Sequence, residues 1–174
     1  MANAKKYILT GVILGSIAAV AAGLRAVTNL ITEEKIKQNE ANKISAGITQ
    51  IFGDSAVIKS EDDLSSYNFV VHYYEVSNSN DEFLGYAFKS EGSNMYGKIS
   101  LIAGFDATSH NFKSLYLVTN EQTYASTLVD KYITPLNDNQ RDVEDVNCGA
   151  TYGAKLVRDM VNEANQVAEE FWKK

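Results

Sequence analysis

Few residues in this sequence have types and spacing that could do chemistry, and the most suggestive run is Cys148-Gly149-Ala150-Thr151. The run stands directly before a segment with the apolar periodicity of a helix. Glycine and alanine leave little bulk, so the backbone there can come close to another group. The first turn of a helix also carries free N–H groups that favour a phosphate. The run therefore predicts either a phosphate-binding helix start or an ordinary helix start with small residues.

The usual catalytic motifs are absent from the sequence, which has no G-x-S-x-G elbow, P-loop, G-x-G-x-x-G turn or H-E-x-x-H helix. His72 falls in an alternating strand pattern and His110 in a turn, so both are interpreted as structural or solvent-facing. Cys148 has no recognisable base, which favours a small buried side chain over a nucleophile. A single cysteine and two distant histidines exclude a disulfide framework and indicate no metal site.

Composition limits the class of protein. The 174 residues suit one domain with appendages, and 45% hydrophobic residues are enough to bury a core. Sixteen Lys and Arg against 22 Asp and Glu give a net charge of −6. Because no basic cluster with interleaved aromatic residues is present, nucleic acid is not expected as a partner.

The N-terminal segment has the pattern of a membrane anchor. Residues 7–24, YILTGVILGSIAAVAAGL, carry no charge and would form a helix of about 27 Å. Lys5 and Lys6 precede this run, so the positive-inside rule places the N-terminus in the cytoplasm and the rest outside the cell membrane. A cleaved signal peptide is the alternative, because AAVAAG contains small residues that a signal peptidase accepts. The helical pattern that continues from Arg25 to Gln50 favours a retained single-pass anchor in the lipid bilayer.

The remainder of the chain predicts an α+β fold. Isoleucines and a leucine recur between charged residues from Thr28 to Phe52, which predicts an amphipathic helix that acts as a stalk. The predicted divisions are an anchor region at 1–24, a stalk helix at 25–52 and an extracytoplasmic domain at 53–174.

Within that last domain, five β-rich runs are separated by short turn-rich segments, which predicts an antiparallel sheet. The predicted turns are SNSNDE, SEGSN and DATSHN. Helical patterns follow at 121–133 and at 150–172, and the second of these is expected to pack on the sheet. The five predicted strands are SAVIKS, YNFVVHYYEV, EFLGYAFKS, GKISLIAGF and FKSLYLVT.

The run from Asp145 to Thr151, DVNCGAT, resembles the D-x-x-[ST]-G-A-T signature of the FMN-binding domain family. This family occurs in the G subunit of Rnf and in the C subunit of the sodium-pumping NADH:quinone reductase. The stretches LRAVTNLITEEKIKQNEA and MYGKISLIAGFDATSHNFKSLYLVTNEQT are also similar to family segments. The resemblance extends over nearly the whole chain, from anchor to last helix.

The resemblance implies one FMN per chain, joined through a phosphoester to Thr151 by a separate flavin transferase that recognises the segment around Asp145. It places Cys148, Gly149 and Ala150 at the attachment site. Isoalloxazine contacts are expected from three further residues, Tyr96, Glu121 and Thr123. The chain departs from the family in having Cys148 in place of Ser or Thr, and in lacking the Pro and Gly residues of an E-T-P-G-L-G loop at 121–125.

The implied function is that of a membrane-anchored electron-transfer subunit in an Rnf-like ion-translocating complex. Such a subunit would work with other membrane subunits and would turn over no soluble substrate by itself. One alternative is a stand-alone extracytoplasmic flavoprotein electron carrier. Another, from a different class, is an assembly or scaffold protein that keeps the fold without the flavin. Flavin content and co-purified subunits distinguish these possibilities.

Overall fold

The computed structural model describes residues 15, 16, 18–20, 22, 32 and 35–173. Contacts divide the chain into two compact units, Met1–Asn42 and Lys43–Lys174. In the first unit, every described residue is helical. No helix among the described residues has the length and apolar character needed to cross a membrane. The predicted anchor at 7–24 and the first part of the predicted stalk lie largely outside the described residues.

The second unit is built on a five-stranded antiparallel sheet in which the strands follow their order in the chain. The predicted sheet, and with it the α+β class, is therefore confirmed. Short hairpin connections link neighbouring strands, which is the usual reason for sequential antiparallel order. The strands are β1 (Val57–Asp63), β2 (Val70–Ser77), β3 (Phe83–Asn94), β4 (Gly97–Asp106) and β5 (Phe112–Asn120).

One predicted turn is wrong. SEGSN, residues 90–94, belongs to β3, and each of its residues pairs with a residue of β4. Gly92 suggested a turn, but a side chain there would lie 2.9 Å from the Leu156 side chain in the helix above. The glycine therefore serves close packing, and the chain reverses later, at Met95 and Tyr96.

A helical region follows β5 and consists of α2 (Ala125–Leu128), a π-helical turn (Val129–Ile133) and α3 (Thr134–Asn137). The helix predicted over 121–133 is thus confirmed from Ala125 onward. The residues before it continue strand-like pairing, because the N–H of Glu121 donates to the Lys98 carbonyl and that of Thr123 to the Tyr96 carbonyl.

The last helix, α4 (Thr151–Trp172), packs on one face of the sheet as predicted. Its apolar residues at helical spacing, including Leu156, Met160 and Ala164, are buried in the larger core cluster. At its end the ring of Trp172 stacks on His110, with centroids 4.2 Å apart and an angle of 7°. The apolar stripe therefore holds α4 against the sheet, with most of its contacts to β3.

Residues 43–52, called α1 here, are helical and cover the opposite face of the sheet. Ile48, Ile51 and Phe52 are buried there against a second cluster that includes Ile102. The contacts thus place this segment in the same unit as the sheet, although the sequence assigned it to a stalk that ends at residue 52. The sheet thus has α1 on one face and α4 on the other, and the α2–α3 region shares the core cluster of α4.

Candidate functional site

A pocket of about 260 Å³ lies at one end of the second unit, where three segments meet. These are the β3–β4 hairpin tip, the loop between β5 and α2, and the start of α4. Four residues of the sequence-based site, Tyr96, Gly149, Ala150 and Thr151, are brought together in its wall. The remaining lining residues are Gln122, Tyr124, Leu128, Tyr152 and Gly153.

Thr151 is the first residue of α4, and its side chain is half-buried in the pocket wall. The residue before it, Ala150, occupies the N-cap position and has no side chain that could accept a hydrogen bond from the first turn. Among the described residues, no side chain caps this end of the helix. The N–H groups of the first turn are therefore available to an anion placed beside the Thr151 hydroxyl.

Two glycines explain the shape of the helix entrance. Gly149 has a φ of +86°, a conformation that residues with a Cβ rarely adopt. A Cβ at Gly153 would lie 3.1 Å from Leu128 Cδ2 and 3.3 Å from Gln122 Oε1. The small residues therefore let the first turn of α4 lie directly against α2 and the side chain of Gln122.

Cys148 is a buried free cysteine that belongs to the core cluster and does not line the pocket. The interpretation of this residue as a small buried side chain agrees with that position. The expected flavin contact from Cys148 stays a prediction, since the residue is in the core cluster and is not among those that line the pocket.

Gln122 was not anticipated from the sequence, although it is buried and lines the pocket. Its Nε2 donates to Asn94 Oδ1 at 3.1 Å and to the Gly97 carbonyl at 2.5 Å. Asn94 Nδ2 in turn donates to the Tyr152 carbonyl at 3.1 Å. Asn94 and Gln122 therefore form an amide latch that connects the hairpin tip, the loop after β5 and the start of α4.

Glu121 and Thr123, the neighbours of Gln122, are exposed and do not line the pocket. Because this stretch pairs with the hairpin tip like a strand, successive side chains point to opposite sides. Thr123 stays close to the site through its N–H, which donates to the Tyr96 carbonyl at 3.0 Å. In the sequence, the alternation of inward and outward side chains in β5 would have to be continued past Asn120 to indicate that Gln122 faces inward.

Three tyrosine rings stand around the pocket. Tyr96 lies 5.3 Å from Tyr152 and 6.5 Å from Tyr124, measured between ring centroids. Tyr152 and Tyr124 are 60% and 57% exposed. The Nζ of Lys155 lies 5.8 Å from the centroid of the Tyr152 ring. The rim of the pocket is thus aromatic and bears a positive charge.

The loop that carries Asp145 is fixed to the domain by Arg141. Arg141 Nη1 donates to the Asp145 carbonyl at 2.9 Å, and its Nη2 lies 3.7 Å from the Asp145 carboxylate. Beneath this loop, the Tyr132 hydroxyl donates to the Val143 carbonyl at 2.5 Å, and burial raises the pKa of Tyr132. Asp145 remains exposed, so the loop is accessible although Arg141 contacts it.

No group of three His, Cys, Asp or Glu residues in the described part of the chain could hold a metal ion. The geometry instead combines a hydroxyl, free backbone donors, small residues and exposed aromatic rings. This arrangement suits an anion with an attached planar group better than a metal.

Comparison with known families gives a match to the first part of the chain. Residues 1–51 match the family model of the RnfG N-terminal region. This part of the chain is similar to RnfG. The match supports an RnfG-like protein and ends before β1, so it does not include the pocket. A comparison with curated proteins finds no match.

Proposed function

We propose that this chain is an Rnf-type electron-transfer subunit that carries one FMN through a phosphoester on Thr151. Two separate parts of the chain support the proposal, namely the RnfG-like residues 1–51 and the Gly149-Ala150-Thr151 motif. The observation that carries it is the position of Thr151, which lines the pocket at a helix start without a side-chain cap.

The residues of the pocket fit the phosphate end of FMN. The first-turn N–H groups of α4 would donate to the phosphate oxygens, and the positive end of the helix dipole would stabilise their charge. Gly149 adds no side chain to the pocket wall, and the protein leaves space around it, with only Thr127 Cγ2 within 4 Å of where a Cβ would be. The isoalloxazine of a bound FMN would carry the electrons, while the protein holds it in place.

The motif loop suits recognition by a flavin transferase. Asp145 is exposed, whereas the backbone around it is held by Arg141. An enzyme that attaches the flavin must reach both Asp145 and the half-buried Thr151 hydroxyl. An accessible, fixed loop next to the pocket provides that access.

We further propose that residues 7–24 anchor the protein in the cell membrane with the flavin domain outside the cytoplasm. The uncharged run after Lys5 and Lys6 supports this topology. The protein would then exchange electrons with neighbouring membrane subunits and need no soluble substrate of its own. Intact mass of the protein from its native membrane tests the anchor, since a mature N-terminus after Ala18 would mean that the segment is cleaved.

The attachment is tested by expression of wild type, Thr151→Ala and the control Thr108→Ala, an exposed threonine between β4 and β5, together with a flavin transferase. Wild type and Thr108→Ala are expected to gain the mass of FMN less one water and to fluoresce after denaturing electrophoresis. Thr151→Ala should show neither property, although it should fold, because Ala is well tolerated in the first turn of a helix.

A fluorescent Thr151→Ala band would contradict the assignment of the attachment residue. Wild-type protein from its own host without the added mass would instead favour the scaffold function. Wild type that carries flavin but copurifies with no membrane subunits would indicate a stand-alone electron carrier.

A further inference from the structure

The pocket beside Thr151 is too small to enclose a whole FMN. The inference below concerns the rest of the FMN and rests on the proposed function. Ligand sites of proteins typically have volumes of about 300–1,000 Å³. The pocket beside Thr151 has about 260 Å³. A phosphate and part of the flavin side chain can enter it, so the remaining part of FMN has to lie against the rim.

Tyr152 is the rim residue best placed for such a contact. It directly follows Thr151, and its carbonyl accepts a hydrogen bond from Asn94 Nδ2 at 3.1 Å. The backbone is thus fixed by the amide latch, while the ring remains 60% exposed. A large aromatic ring held in solvent beside a pocket is typical of a binding surface.

The ring of Tyr152 has Tyr96 and Lys155 as neighbours, and the residue is 60% exposed to solvent. Tyr96 lies on one side, with centroids 5.3 Å apart and an interplanar angle of 39°. Lys155, four residues after Thr151 on the same helical face, places its Nζ 5.8 Å from the ring centroid. The ammonium and the ring thus belong to the same helical turn as Thr151, the residue on which the proposed function places the phosphate.

We propose that Tyr152 binds the isoalloxazine ring outside the pocket and that this contact quenches the fluorescence of the attached flavin. A phenol in contact with an excited flavin donates one electron to it and takes the same electron back, so no net oxidation occurs. A phenylalanine at this position would keep the packing but cannot act as the electron donor. Tyr152→Phe therefore tests the loss of the electron donor alone, and Tyr152→Leu tests the loss of both the donor and the aromatic packing.

The experiment measures flavin fluorescence lifetimes of the intact flavinylated protein, with the attached mass checked for each variant. Tyr152→Phe is expected to lengthen the mean lifetime at least twofold while the visible circular dichroism of the flavin stays unchanged. Tyr152→Leu should lengthen the lifetime and also alter that spectrum. Tyr116→Phe, on the α1 face of the sheet, is the control and should leave both unchanged.

An unchanged lifetime in fully flavinylated Tyr152→Phe would overturn the inference, and so would a longer lifetime in Tyr124→Phe alone. Either result leaves the flavin attachment standing. Wild type without the added mass would instead overturn the proposed function and this inference with it.

Discussion

The carboxylate of Glu163 in α4 accepts a hydrogen bond of 2.9 Å from the backbone N–H of Val70, the first residue of β2. The same carboxylate also accepts from the N–H groups of Asn68 and Phe69, at 2.8 and 2.5 Å. One side chain therefore satisfies three successive backbone donors and connects the loop before β2 to the last helix.

Replacing Glu163 with Ala should lower the free energy of unfolding by about 1–3 kcal/mol, because backbone donors lose a charged acceptor. Glu163→Gln should lose less, since the amide oxygen still accepts. Urea denaturation followed by circular dichroism measures both. Glu169→Gln, an exposed change on the same helix, is the matched control. Equal midpoints for Glu163→Ala and wild type would show that the three hydrogen bonds do not stabilise the domain.

Gln122→Ala should break the amide latch. The Gly97 carbonyl then loses the Gln122 donor in a partly buried place, and Asn94 Oδ1 keeps only the Tyr96 N–H, at a cost of about 1–3 kcal/mol. The backbone N–H of Thr123 should exchange with solvent faster, because its bond to the hairpin tip depends on the latch. Hydrogen exchange measured by mass spectrometry tests this, with the exposed Gln166→Ala as control. Unaltered exchange at the loop would argue against the latch.

Cys148→Ser should remain flavinylated, because the attachment hydroxyl belongs to Thr151. The change should nevertheless lower stability by about 1 kcal/mol, since a hydroxyl is costlier to bury than a thiol without a new hydrogen bond. Intact mass and urea denaturation measure the two effects, and Cys148→Ala shows the cost of removing the side chain. Loss of flavin from folded Cys148→Ser would reveal an essential role for the thiol.

Asp106 should make the stability depend on pH on the acid side. Hydrogen bonds from Ser109 hold the pKa of Asp106 below its ordinary value, and burial opposes them only in part. A lowered folded-state pKa stabilises the domain above the unfolded value, about 3.9, and this stabilisation is lost as the pH falls through the folded value.

The comparison of Asp106→Asn with wild type isolates this contribution. The difference in free energy of unfolding between the two should be constant above about pH 5 and shrink at lower pH. Urea midpoints at a series of pH values measure it, with the exposed Asp54→Asn as control. If the difference in free energy of unfolding instead grew as the pH fell, the pKa of Asp106 would not be lowered in the folded state.

Most of the fold could be predicted because its core positions repeat with a clear period. Alternating apolar residues indicated the strands, and residues from Leu156 to Phe171 at spacings of three and four indicated α4. The extension of β3 could not be predicted, since Gly92 is required by packing under α4 rather than by a turn. Contacts between segments far apart in the chain, such as those of α1 with the sheet, leave no pattern in the local sequence from which they could be predicted.

The site was predictable only where it coincides with a motif. Gly149, Ala150 and Thr151 were found through their order, and Tyr96 as an aromatic residue in a stretch similar to a family segment. Gln122 and Tyr124 were missed because inward orientation depends on how the loop after β5 pairs with that tip. Their residue types alone do not distinguish a pocket wall from an exposed surface.

The length of α4 separates the two ends of the domain. From Thr151 to Trp172 the helix rises about 32 Å. Trp172 is the sole tryptophan of the chain, and it lies among Phe83, Tyr86 and His110. The ultraviolet emission of Trp172 therefore reports on folding at the end of the domain far from Thr151. A flavin on Thr151 would absorb and emit visible light. One sample can thus be assayed for folding through the tryptophan and for flavin content through the visible signal.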